Sequence, residues 1–175
     1  MSAGSKRRVP MTVTFFEMTA KPSALPPPQP KGRHAILKAE KPAPHFYRYL
    51  YDTIGGPYLW VDRKKITPEA LTEILHHPQN ALYVLYVEGC PAGMSEIDLR
   101  KEGAANIAYF GLMPEFIGRG LGYYFLYHTC QNAWAYPIGR LTINTCTLDH
   151  PRALPLYQRM GFQAYAREER FVELP

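Results

Sequence analysis

The chain of 175 residues is 46% hydrophobic with a formal net charge of +5, a composition that suits one cored domain and excludes a disordered chain. The charge is uneven: residues 1–10 hold +3, residues 11–45 a further +3, and residues 46–175 −1, so the body lacks the basic stripe of a nucleic-acid binder. No apolar run approaches the roughly 18 residues of a membrane span, no secretory signal follows Lys6-Arg7-Arg8, and the three scattered cysteines, Cys90, Cys130 and Cys146, fit a reducing cytosol rather than a disulfide framework or zinc site.

Lys6-Arg7-Arg8 reads as a solvated tail, or as a vector-derived remnant ahead of Met11. Residues 11–19 begin as a strand, with Val13, Phe15 and Phe16 among threonines. Pro22, Pro26, Pro27, Pro28 and Pro30 bar residues 21–32 from helix or central strand. That run reads as an extended spacer along the surface, with a ligand for another domain as the sharper alternative. The domain boundary falls here: residues 1–33 as tail, strand and linker, residues 34–175 as a single domain. Residues 34–39 form a short strand. A helix starts at Pro44, with proline in its first turn, and Gly55-Gly56-Pro57 stops it. Tyr47, Tyr51, Tyr58 and Trp60 are more aromatic surface than a plain helix face requires. Either they pack against a sheet or they wall an acceptor pocket with apolar bodies and polar tips.

Thr67-Pro68-Glu69 opens the next helix with an N-cap, an N1 proline and a first-turn acid. It runs to His76-His77, whose side chains diverge around the helix and meet the negative end of its dipole rather than a metal. Residues 81–87 and 92–99 form a hairpin about Glu88-Gly89-Cys90-Pro91. On the return strand Met94, Glu96 and Asp98 share one face, and Ser95, Ile97 and Leu99 the other.

Residues 106–113 read as a buried strand, carrying Ile107, Tyr109, Phe110 and Leu112. Residues 121–135 read as a helix, with Leu121, Tyr124, Phe125, His128 and Thr129 at helical spacing. Between them runs Pro114-Glu115-Phe116-Ile117-Gly118-Arg119-Gly120-Leu121-Gly122. Such a stretch is either a tight turn or an anion cradle, in which free helix N–H groups and close-approaching glycines meet a phosphate and Arg119 adds charge. The spacing matches neither the nucleoside-triphosphate loop nor the dinucleotide fingerprint. A strand at 141–146 and a helix at 150–160 follow, the helix with Asp149 or His150 near its cap and Gly161 at its end. Residues 163–172 supply a last strand, on which Arg167-Glu168-Glu169-Arg170 form a solvated turn or edge.

The glycine stretch resembles the acetyl-CoA loop of the GNAT superfamily of N-acetyltransferases, Q/R-x-x-G-x-G/A, laid over Ile117-Gly118-Arg119-Gly120-Leu121-Gly122. Gly120 and Gly122 match; Ile117 stands where the family has Gln or Arg. Ala153-Leu154-Pro155-Leu156-Tyr157-Gln158-Arg159-Met160-Gly161-Phe162 resembles the family's N-x-x-A-x-x-L-Y-x-x-x-G-F segment, with His150 in place of the Asn. The likeness covers roughly residues 80–165. It implies a mixed α/β fold: a central, mostly antiparallel sheet, flanked by helices and splayed open between the 106–113 and 141–146 strands to hold acetyl-CoA as co-substrate. It also implies that Phe110, Gly111 and Leu112 carry the pantetheine arm, that residues 117–122 meet the pyrophosphate, and that Tyr157 is the general acid for the departing thiolate.

Acetyl transfer to an amine needs the neutral amine, which at an alkyl-amine pKa of roughly 10.4 is about one part in a thousand at pH 7, so a base or water relay helps. Some relatives place a Glu where this chain has Thr145, others an acid where it has Asn106 or Ala108. Of Glu96, Asp98, Glu115 and His150, Glu96 ranks first because strand alternation aims it into a cleft, and His150 is a base or part of the helix cap. Cys146 reads as a buried free thiol rather than a nucleophile. The expected protein is a cytoplasmic N-acetyltransferase, monomer or homodimer, acting on a small or amino-acid-like primary amine without metal, nucleic acid or membrane. The rival expectations are a non-catalytic acyl-CoA sensor and a protein-interaction module.

Overall fold

The computed structural model describes residues 7–174. Its elements follow the order β1 (Arg8–Met18), β2 (His34–Lys38), α1 (Pro44–Gly55), α2 (Pro68–Leu75), β3 (Asn80–Val87), β4 (Cys90–Asp98), β5 (Ala104–Leu112), α3 (Leu121–Trp134), β6 (Arg140–Cys146), α4 (Ala153–Met160) and β7 (Gln163–Glu173). Local chemistry accounts for several of these bounds. Pro44 and Pro68 stand in the first turns of α1 and α2, where their missing N–H groups cost nothing. The Thr67 hydroxyl accepts the Ala70 N–H at 3.2 Å, the cap that a Thr-Pro-Glu start predicts.

The strands make one sheet in the order β2-β3-β4-β5-β6-β1-β7. Every neighbouring pair is antiparallel except β5 and β6. That parallel pair is short, with Ala104 to Ile107 in register with Arg140 to Ile143. Beyond it the strands part: β5 continues against β4 alone, and β6 against β1. The sheet is therefore open at its middle, as the resemblance implies. Helices cover both faces. On one, Tyr47, Leu50 and Ile54 of α1 and Leu71 of α2 pack with Met94. On the other, Leu126 and Cys130 of α3 and Met160 of α4 pack with Ile97 and Ile107. Met94 and Ile97 meet opposite layers, the alternation expected along β4.

Three expectations need correction. The boundary at residue 34 separates nothing in this sheet: β1 is an interior strand, paired with both β6 and β7 and burying Val13, Phe16 and Met18. Thr12 donates its N–H to Thr147, 135 positions away, a distance over which no local pattern shows a pairing. Of the basic run, Lys6 lies outside the described residues, whereas Arg8 belongs to β1, with its guanidinium 4.6 Å over the Phe171 ring. Residues 167–170 take the edge rather than the turn of the two expected alternatives: they lie within β7, an edge strand whose charges are exposed and discourage further pairing. Finally, α4 begins at Ala153 rather than His150 and has no side-chain cap. His150 precedes Pro151, and the residue before proline is disfavoured in the helical region. Among the described residues no helix is long and apolar enough to cross a membrane.

Candidate active site

A cleft of about 1030 Å³ occupies the opening between β5 and β6. One end is the glycine loop. After β5 the chain makes a single 3-10 turn over Pro114–Phe116, then passes through Ile117 in an extended conformation to Gly118 and Gly120, at φ 83° and 75°. Both glycines hold left-handed backbone that side chains resist. Gly120 is the N-cap of α3 and no side chain caps the helix, so its first-turn N–H groups have no side-chain acceptor and carry the positive dipole end. Ile117, Gly118, Gly120, Leu121 and Gly122 all border the cleft. Arg119 does not: its guanidinium lies 4.8 Å over the Phe116 ring and lines a neighbouring cavity instead. Phe110, Gly111 and Leu112 line the cleft along the stretch of β5 that β6 has left.

Midway along, α4 contributes Tyr157, only 5% exposed yet bordering the cleft. Phe16 and Phe162 hold its ring edge-on at 6.0 and 6.3 Å. Burial, reinforced by the charge of Asp149, pushes its phenol well above the usual tyrosine value. The sequence marks Asp149 only as a possible helix cap. Its carboxylate turns back to β6, accepting the Thr145 hydroxyl at 2.8 Å and the Cys146 N–H at 2.9 Å, and takes the Trp60 indole N–H at 3.4 Å. It borders the cleft with Tyr58 and Tyr157. Burial and Asp149 together raise the Tyr58 phenol as well. His150 also lines the cleft, but its Nδ1 accepts the Arg152 N–H at 3.1 Å. That bond leaves the neutral ring with its proton on Nε2, a donor rather than an acceptor, which weighs against the base role.

The far wall is aromatic. Tyr51, Tyr58 and Trp60 face the cleft, and Tyr109 of β5 joins them, its ring 4.9 Å from Tyr51 and 5.1 Å from Trp60. Tyr47 does not join: it is wholly buried and donates its hydroxyl to Glu96. Glu96 is buried to the same degree and does not reach the cleft. Its other oxygen accepts Arg63 Nη2 at 2.6 Å. A carboxylate committed to two donors behind the wall is a structural anchor, so the expected base at this position is corrected. Strand alternation placed Glu96 on the correct layer, but α1 covers that layer. Arg63 ties the wall together. Its backbone N–H donates to the Tyr51 hydroxyl at 3.3 Å, and its guanidinium lies 5.3 Å from the Tyr109 ring centre. Burial works against the Arg63 charge, yet Glu96 and Tyr47 leave its pKa raised. The sequence marks Tyr109 only as a strand residue and Asp149 only as a possible helix cap, and gives no sign of Arg63, since each takes its place at the site through contacts distant in the chain.

Residues 35–162 match the Acetyltransferase (GNAT) family. No curated protein matches the chain in sequence. Among solved structures, a conserved protein of Staphylococcus epidermidis superposes with a TM-score of 0.65 at 13% identity, over 95% of this chain and 62% of that one. A GCN5-related N-acetyltransferase from Kribbella flavida gives 0.60 at 15%, over 93% and 60%. AAC(6')-Iy in complex with the bisubstrate analog CoA-S-monomethyl-acetylneamine gives 0.59 at 16%, over 75% and 92%. Identities this low show a shared fold. The chain spans less than two thirds of the Staphylococcus and Kribbella proteins.

Proposed function

The chain belongs to the Acetyltransferase (GNAT) family, and on that premise we propose that it is an acetyl-CoA-dependent N-acetyltransferase, carrying the acetyl group directly to the primary amine of a small acceptor. The observation that carries this reading is the continuity of one cleft from the uncapped start of α3, past Tyr157 and Asp149, to the wall of Tyr51, Tyr58, Trp60 and Tyr109. Acetyl-CoA supplies an activated thioester. The N–H groups at Ile117 to Gly122 meet its pyrophosphate, and the free edge of β5 at Phe110 to Leu112 meets the pantetheine arm and thioester carbonyl. Asp149 draws the acceptor ammonium to the thioester, and its proton leaves through water. The amine nitrogen bonds to the acetyl carbon as the carbon–sulfur bond breaks, the Tyr157 hydroxyl gives its proton to the thiolate, and the second proton lost by the nitrogen passes through water and restores the phenol.

Thermal unfolding with acetyl-CoA, CoA or ATP tests the cofactor half. A ligand at about 100 times its dissociation constant adds roughly 2.7 kcal/mol, so the two CoA forms should raise Tm and ATP should not. Thiol release across an amine panel tests the transfer half. The closure of the Glu96 network favours a second reading, a non-catalytic acyl-CoA-binding protein. That reading predicts the same Tm shift with no turnover of any amine; turnover removes it.

A further inference from the structure

The aromatic wall is built more rigidly than a general amine site requires. Trp60 is held from several sides. Gly55 packs so closely on its indole that a Cβ there would overlap the ring. The Tyr51 and Tyr109 rings lie 5.4 and 5.1 Å from it, and its N–H is bound to Asp149. Leu59, between Tyr58 and Trp60, takes φ 59° and ψ 39°, left-handed backbone that a side chain resists. Strain of this kind persists only where the surroundings impose it, and it gathers at binding sites. Here it falls where Tyr58, Leu59 and Trp60 border the cleft in succession.

The wall offers ring surface more than hydrogen bonds. The Tyr51 hydroxyl already accepts the Arg63 N–H, and the Trp60 N–H is spent on Asp149. Asp149 itself has room for one further donor. A carboxylate has about four lone-pair sites; the Thr145 hydroxyl and the Cys146 N–H take Oδ2, and Trp60 takes one site on Oδ1. An ammonium bound there shares Oδ1 with the indole and stands at the edge of Trp60. The rest of the border does not invite more cations. Glu173 is paired with Arg8 at 3.7 Å, Asp62 is exposed, and Lys65, Arg152, Arg159 and Arg170 outnumber the acids that line the cleft.

We propose that the acceptor is an aromatic monoamine, a flat ring carrying one ammonium on a short arm, with the ammonium on Asp149 Oδ1 and the ring against Trp60 and Tyr58. The assignment rests on the cleft being the site of acetyl transfer. A flat ring meets fixed aromatic faces with little freedom left to lose, and an ammonium beside them gains from the π surface as well as from the carboxylate. A polyamine or an amino sugar fits worse. Its further ammonium groups meet a border richer in bases, and sugar hydroxyls give up water against ring carbon.

The test compares kcat/KM, by thiol release at saturating acetyl-CoA, for phenylethylamine, cyclohexylethylamine, spermidine and kanamycin. The first two carry the same ammonium on the same arm and differ in the flatness of the ring. Phenylethylamine should exceed cyclohexylethylamine about tenfold, on the scale of one or two aromatic contacts, and exceed the two polycations by more. Trp60→Leu and, separately, Tyr58→Leu should each bring the phenyl-to-cyclohexyl ratio toward one. A ratio within one preparation does not depend on how much of it is folded, so lost stability does not mask the result. Equal use of the two rings, or a preference for spermidine or kanamycin, overturns the aromatic acceptor and leaves acetyl transfer standing. A ratio unchanged in both variants overturns the assignment to this wall. If none of the four reacts while another amine does, the acceptor class is overturned; if no amine reacts, the transfer reading falls with it.

Discussion

At the scale of single residues, the cleft separates side chains that can act on a substrate from those that hold the wall. Tyr157 is of the first kind. Its phenol is raised by burial first and by Asp149 second, and an acid works in its protonated form, so raising its pKa moves the loss of activity to higher pH. The expected kcat profile rises as the amine loses its proton and shows no descending limb up to the ordinary tyrosine value of 10.0. Tyr157→Phe should lower single-turnover rates by about a hundredfold or more while the dissociation constant of acetyl-CoA barely moves. An unchanged rate removes Tyr157 from the chemistry. Glu96 is of the second kind. Glu96→Leu leaves Arg63, whose side chain is 17% exposed, without its partner, and breaking a buried pair from one side costs roughly 3–5 kcal/mol. Adding Arg63→Met should restore part of that loss, because the two changes share one interaction. Denaturant melts of the single and double variants decide the matter. If Glu96 were a base, substitution would abolish turnover and spare stability.

Among the elements, the loop before α3 gives the sharpest test. Gly120 stands at φ 75° with open space where a Cβ would point. Gly120→Ala therefore meets no clash inside the protein, and its cost is backbone strain of about 1 kcal/mol. Gly120 borders the cleft at the stretch assigned to the pyrophosphate, where a methyl competes with close approach of the phosphate to the backbone, so acetyl-CoA affinity should fall by more than this loss of stability implies. Titration calorimetry beside a denaturant melt compares the two. This loop was legible in the sequence because its chemistry is local: a strand of β-branched and aromatic residues, a proline, spaced glycines and an amphipathic helix. The same holds for the Thr67 cap and for the Tyr51–Trp60 aromatic stretch. What could not be read depends on distant neighbours. The place of β1 is set by Leu141 to Cys146 and by Gln163 to Glu173. The carboxylate of Asp149 is oriented by Thr145 on the strand before it and Trp60 across the cleft. Glu96 alternates as a strand residue should, yet its fate follows from α1 and Arg63 lying over it. Periodicity names a face; it does not say what covers that face.

At the scale of the whole molecule, β1 closes the half of the sheet that carries α4 and Tyr157, since β6 and β7 meet only through it. Deleting residues 1–19 would expose the inner edges of both strands and uncover the apolar surface around Phe16. The expected product is an aggregation-prone chain lacking a cooperative melt, rather than a trimmed domain. A second global property comes from the number of ionisable groups kept neutral inside. Burial is the leading cause that raises the phenols of Tyr47, Tyr51, Tyr109 and Tyr157, and it lifts the Tyr83 phenol and the Cys130 thiol each to about 12. In the unfolded chain these groups return to ordinary values, 10.0 for tyrosine and 9.0 for cysteine. Above those values the unfolded state sheds protons that the folded state retains, so the unfolded state gains stability with each pH step. The contribution of these groups is fully present below pH 9 and is lost progressively as pH rises through 9 and 10 toward 12. A Tm series at constant ionic strength should therefore be flat from neutrality to about pH 9 and then fall ever more steeply as several tyrosines titrate together. Tyr83→Phe and Cys130→Ala each remove one such group, so each should make the alkaline fall shallower than in the native chain whatever it does to Tm at neutral pH. An unaltered slope in both would mean that the alkaline limb has another origin.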